Sequence, residues 1–165
     1  MTDHHFMQIC LREAQVAFDS EEVPVGAVII SAEGKLLARA HNLTVRANRV
    51  TAHAEILAIN MASDMVENYR LTGSTLYVSM EPCVMCAGAI VEARIKRVVF
   101  GCSDEKRGAF GSVVDVSKLP LNHKIEVQGG LFADESAALL QKFFQMRRGT
   151  EVAITGPTRN RLYAL

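Results

Sequence analysis

The chain has 165 residues, 49% of them apolar and 22% charged, and its 18 basic side chains balance 18 acidic ones to a formal net charge of zero. That length buries a core without disulfides, the composition excludes a disordered chain, and the zero net charge by itself argues against a nucleic-acid binder. No apolar run approaches the roughly 20 residues needed to cross a bilayer, and Met1-Thr2-Asp3-His4-His5 carries acid where a secretory leader carries base, so neither an anchor nor a leader is expected.

In chain order, the stripe Phe6, Ile9, Cys10, Ala14, Ala17 and Phe18 predicts a helix from about Asp3 to Asp19. Val25 to Ile30 reads as a buried strand. A turn at Ala32-Glu33-Gly34 leads to a second strand, Lys35 to His41, as a hairpin. Residues from about Ala52 to Asn68 predict a helix with Ile56, Leu57, Ile59 and Met61 supplying its apolar surface. Ser74 to Met80 is β-prone through Thr75, Tyr77 and Val78. A short helix from Cys83 to Arg94, a strand from Arg97 to Phe100 and a loop containing Gly101, Gly108 and Gly111 follow. A last strand near Lys124 to Val127 precedes a closing helix from Asp134 to Arg148, with Leu139, Leu140, Phe143 and Phe144 on its apolar side. Alternating strands and helices with one hairpin predict a three-layer α/β/α fold around a mixed sheet. One domain is expected over 1–149, with 150–165 as a polar, frayed tail containing Gly156-Pro157.

Charge is unevenly spread. Asp3, Glu13, Asp19, Glu21 and Glu22 crowd the start, Arg39, Arg46 and Arg49 precede the middle, and Lys142, Arg147, Arg148, Arg159 and Arg161 face only Glu151 near the end. Solvated surface charge and a polyanion-facing surface both fit this pattern.

Two short motifs carry the chemistry. His53-Ala54-Glu55 opens one predicted helix, and Pro82-Cys83-Val84-Met85-Cys86 opens another. Cys83 and Cys86, three apart at a helix start, turn both thiols to one point, where the helix end favours thiolate. One imidazole and two thiolates suit zinc, whereas iron–sulfur clusters want another cysteine. Three protein ligands leave a fourth position for water, and Glu55, two residues beyond His53, is placed to handle that water's protons without ligating. Each motif alone has a plainer reading: CxxC as a redox pair or two buried thiols, and the acid as a favourable charge in the first turn of a helix. Four cysteines, two of them so spaced, fit a metal site in a reducing compartment better than a disulfide framework, so a cytoplasmic protein is expected.

The H-x-E…P-C-x-x-C order is that of zinc-dependent nucleobase deaminases. The resemblance extends through Val23-Pro24-Val25-Gly26-Ala27, Thr51 to Ile56, Glu81 to Ile90, Arg94 to Gly101, the Asp104 to Ser112 loop, Asn122-His123, and Ala133-Asp134-Glu135 on to Phe143-Phe144 and Arg147-Arg148. Over nearly the whole chain up to Arg148 it resembles the bacterial tRNA-specific adenosine deaminases. That resemblance implies a cytidine-deaminase-like fold, a homodimer and conversion of adenosine to inosine at the wobble position of a tRNA anticodon stem-loop, with no organic cofactor. It implies one zinc ion per subunit on His53, Cys83 and Cys86. Glu55 would pass a proton from water to the purine ring nitrogen and then to the departing amine. Asn42 would bond the inserted nucleoside, and Asp104, Lys106 and Phe144 would touch the anticodon loop.

Two alternatives stand beside this. HxE and PCxxC also occur in deaminases of free bases or nucleotides such as guanine or cytosine. A structural zinc module would instead complete four protein ligands with Cys102, Cys10 or His41, and would have no need of Glu55.

Overall fold

The computed structural model describes residues 2–154, with side chains through Gly149. Helix α1 (Asp3–Asp19) is followed by strands β1 (Gly26–Ile30) and β2 (Leu36–His41), helix α2 (Ala54–Val66), strand β3 (Thr75–Met80), helix α3 (Val84–Glu92), strands β4 (Arg97–Cys102) and β5 (Glu126–Gln128), and helix α4 (Ala133–Ile154). The sheet order is β2-β1-β3-β4-β5. β1 pairs antiparallel with β2 and β3, while β3, β4 and β5 run parallel. The expected mixed sheet with one hairpin is therefore observed.

Strand alternation divides the core in two. Ala27, Ile29, Leu76, Val78, Val98 and Phe100 face one side, where they pack with residues of α2 and α3. Val28, Ile30, Tyr77 and Val99 face the other and pack with Phe6, Met7, Ile9 and Cys10 of α1. Strands buried on both faces read as continuous apolar runs, which is why Val25 to Ile30 lacks polar alternation. Gly26 is needed where α1 crosses β1, since a Cβ there would overlap the Cys10 carbonyl.

Several element ends differ from expectation for local reasons. α2 begins at Ala54, because the Ala52 amide is bonded back to the Arg49 carbonyl and His53 is extended; it ends where Glu67 turns left-handed, φ 53°. Its buried stripe is Ala54, Ala58, Ile59 and Ala62, and Met61 points outward; small residues at i, i+4 and i+8 bring the helix close to the sheet. β4 runs on through Gly101 to Cys102, which pairs with Met80. Pro82 lies one residue before the N-cap of α3, and its carbonyl accepts from the Ala109 amide. α4 continues through Ile154; the rest of the expected tail, 155–165, with Arg159 and Arg161, lies outside the described residues.

One ion pair ties the first helix to the sheet. Asp3 accepts from both Arg97 guanidinium nitrogens at 2.9 and 2.7 Å and from the Tyr77 hydroxyl at 2.6 Å. The Arg97 bonds hold its carboxyl down to about 2, while burial and the nearby carboxylate push the Tyr77 hydroxyl up. Because Asp3 is depressed in the folded chain, its contribution is complete above the ordinary pKa of 3.8 and is lost as pH falls toward 2. Asp3→Ala is expected to lower unfolding free energy by about 1–3 kcal/mol at neutral pH, measured by urea titration. The difference from the parent should narrow between pH 4 and pH 2; a difference constant over that interval would refute the assignment.

Candidate active site

The donors meet because α2 and α3 begin beside each other beyond the end of β3. His53 is the extended N-cap of α2 and Cys83 the extended N-cap of α3, while Cys86 lies in the first turn of α3. Neither side chain makes a cap hydrogen bond. For α2 the missing cap comes from elsewhere: Asn42, at the end of β2, accepts the Ala54 amide at 2.8 Å through Oδ1. The His53 imidazole is thereby released from capping.

His53 Nδ1 lies 3.7 Å from Cys83 Sγ and 3.5 Å from Cys86 Sγ, and the three donor atoms all fall within 4.8 Å of one another. Tetrahedral zinc, with Zn–S of about 2.3 Å and Zn–N of about 2.0 Å, requires an S···N edge of about 3.5 Å. The donor set fits that ion. The alternative fourth ligands are engaged elsewhere: Cys10 donates to the Tyr77 carbonyl, Cys102 to that of Ser79, and His41 Nδ1 meets Glu13 at 3.1 Å. Among the described residues the metal-capable group consists of His53, Cys83 and Cys86. The closed structural site considered from the sequence is not formed.

Electrostatics separate the members of the group. The hydrogen bond from Cys86, together with His53, holds the Cys83 thiol down to about 3. Cys86 is pushed up by that bond and by burial. The contact with Cys83 raises His53. Glu55, in the first turn of α2 and only 4% exposed, is raised chiefly by burial. A carboxyl so placed takes up a proton more readily than an exposed one.

These groups open into a cavity of about 620 Å³ lying past the carboxyl ends of β3 and β4, where ligands gather in α/β sheets. His53, Glu55 and Cys83 line it, and so do all four substrate-contact candidates: Asn42, Asp104, Lys106 and Phe144. Phe144 was expected on the apolar side of α4, but Phe143 fills the core while Phe144 is 46% exposed at the cavity rim. Sequence reading missed Glu22 and Arg107 in the wall and assigned no role to Glu81. The available signal was a carboxylate set against apolar segments, Glu22 before Val23-Pro24-Val25 and Glu81 after Leu76 to Met80.

The cytidine and deoxycytidylate deaminase zinc-binding region matches residues 1–102, which include all three donors. A tRNA-specific adenosine deaminase of Haemophilus influenzae is 44% identical over 147 residues, 88% of this chain and 85% of that protein. Another, of Agrobacterium fabrum, is 46% identical over 145 residues, 87% of this chain and 95% of that one. A solved structure from biochemical and structural studies of A-to-I editing by tRNA:A34 deaminases at the wobble position of transfer RNA aligns with a TM-score of 0.80 at 46% identity, covering 82% of this chain and 99% of that one. With its zinc donor set and this likeness along most of its length, the chain belongs to the cytidine and deoxycytidylate deaminase family and, within it, to the tRNA-specific adenosine deaminases.

Proposed function

We propose that the chain hydrolyses adenosine to inosine and ammonia at the wobble position of a tRNA anticodon. The observation that carries this reading is a buried carboxylate, Glu55, beside a three-donor zinc set in the wall of a cavity large enough for a nucleoside. His53, Cys83 and Cys86 would hold zinc, which would supply Lewis acidity to a water at the site. Glu55 accepts that water's proton and delivers it to N1 of the purine as oxygen adds at C6. It then carries a second proton from the added oxygen to the C6 amine, which leaves as ammonia. The burial that raises Glu55 lets it hold the proton between transfers.

Asn42, its oxygen occupied by the Ala54 amide, presents its NH2 as a donor to an acceptor on the nucleoside. Asp104 and Lys106 on one side of the rim and the Phe144 ring on another contact neighbouring anticodon nucleotides. An unpaired loop base is the apt target, because splaying it out costs less than opening a duplex. Zero net charge is compatible with this, since stacking and hydrogen bonds rather than a basic field select the site.

We infer a homodimer, supported by apolar side chains left exposed on neighbouring helices: Met61 and Met65 on α2 and Val84 on α3, with Val113 and Val114 beyond. A reducing, cytoplasmic setting is supported by four unpaired cysteines, two of them zinc donors. No helix among the described residues is long and apolar enough to cross a membrane.

Purified protein is expected to form inosine in an anticodon stem-loop, read by sequencing or mass analysis, and to release negligible ammonia from free guanine or cytosine. The reverse pattern would assign the site to a free base. Glu55→Ala should retain zinc, measured by atomic emission, while deamination falls by about 10²–10⁴-fold; normal turnover would remove Glu55 from the mechanism. Cys83→Ala should instead lose both metal and activity. Sedimentation should give twice the chain mass, and Met61→Glu should shift it toward the monomer.

A further inference from the structure

The cavity wall contains two buried carboxylates besides Glu55: Glu22, 1% exposed, and Glu81, 3% exposed. Burying a carboxylate is expensive unless its oxygens receive hydrogen bonds. Here the donors are mostly backbone amides, and they belong to the two loops that flank the cavity mouth. Glu22 accepts the Val45 amide at 3.1 Å and the Arg46 amide at 2.7 Å, in the loop after β2. Glu81 accepts the amides of Asp104 at 3.0 Å, Phe110 at 3.0 Å and Ser112 at 3.1 Å, together with the Ser112 hydroxyl, in the loop after β4. Although burial opposes it, these donors keep Glu81 below the usual carboxylate range.

Each clamp is built in from behind. Glu21, immediately before Glu22, is left-handed with φ 61°, and the Arg147 guanidinium holds its carbonyl at 2.6 Å. Gly108 packs against the Glu81 carboxylate so closely that a Cβ would overlap it. The Asp104 carboxylate then accepts the Lys106 and Arg107 amides at 3.1 Å each, so the Glu81 bond to the Asp104 amide sets the start of the turn bearing both cations. Asn42 and Val45 line the cavity on one lip, and Asp104, Lys106 and Arg107 on the other.

We propose that Glu22 and Glu81 are paired positioning residues, each fixing one lip of the cavity at the spacing that receives the target nucleotide and its neighbours. This rests on the RNA-deaminase reading above. Neither residue transfers a proton; each acts through the amides it holds. Acceptor-only carboxylates suit the task, because every donor they face is an N–H or O–H. A glutamine replaces one acceptor oxygen by a donor. At position 81 its remaining oxygen can serve the Phe110 and Ser112 amides, leaving the Asp104 amide facing another donor. At position 22 one of the Val45 and Arg46 amides is likewise left without an acceptor.

The test uses zinc-loaded full-length protein with Glu81→Gln and Glu22→Gln made separately. Site-resolved amide hydrogen exchange should speed up about tenfold or more at Asp104 in Glu81→Gln and at Val45 or Arg46 in Glu22→Gln, each without effect on the other lip. KM for the anticodon stem-loop should rise about tenfold, with kcat changed by less than about threefold and zinc content unchanged. Ser112→Ala, which removes only the hydroxyl donor, should raise KM less, and it keeps the test readable if Glu81→Gln does not fold. Loss of protection on both lips together with zinc would make the carboxylates general structural supports and overturn the proposal, as would loosened lips with an unchanged KM. A parent protein that leaves the stem-loop unmodified would overturn the substrate assignment instead, while the exchange pattern still decides whether the clamps are independent.

Discussion

The site depends on one geometric constraint: α2 and α3 begin at the same place, with their N-caps turned toward each other. Cap positions normally carry side chains that accept from the helix. Here those positions carry His53 and Cys83, whose side chains make no cap bond. α2 recovers an acceptor from Asn42 across the β2 end. The consequence is an imidazole and a thiolate aimed outward at a common point, with Cys86 one turn along. The alanine stripe of α2 makes this approach possible, because Ala54, Ala58 and Ala62 let the helix lie close to the sheet and to α3.

Three buried acids stand in one cavity wall, in two different kinds of surroundings. Glu81 is encircled by donors and stays ionised, so it serves as a fixed acceptor. Glu55 has His53, Cys83 and Cys86 as neighbours, and burial raises it, the opposite direction to Glu81. Opposite environments around identical side chains are a common route to an acid–base group within a rigid polar frame. Glu22 shares the clamp geometry of Glu81, on the other lip.

Fold and chemistry were legible to different depths. Long apolar runs located β1, β3 and β4, and periodicity located α1, because burial dictates residue type at those positions. The edges of elements were less legible. β4 extends past Phe100 because Cys102 pairs with Met80, a contact between residues 22 positions apart. Phe143 and Phe144 look alike in the sequence; only the neighbours of α4 place one ring in the core and the other at the rim. Glu22 and Glu81 carried little local signal, since the amides they hold lie more than 20 residues away.

The sequence by itself determined the donor set and the carboxylate beside it, because ligand identity and spacing within a helical turn are local: His53 with Glu55, and Cys83 with Cys86. The tertiary structure alone decided that the two motifs converge with His53 Nδ1 within 3.7 Å of both thiols, that Cys10, Cys102 and His41 are engaged elsewhere, and that Asn42, Asp104, Lys106 and Phe144 share one cavity. Those facts depend on where separate segments are carried by the sheet and on which polar groups burial forces to find partners, and neither is written in any one stretch of chain.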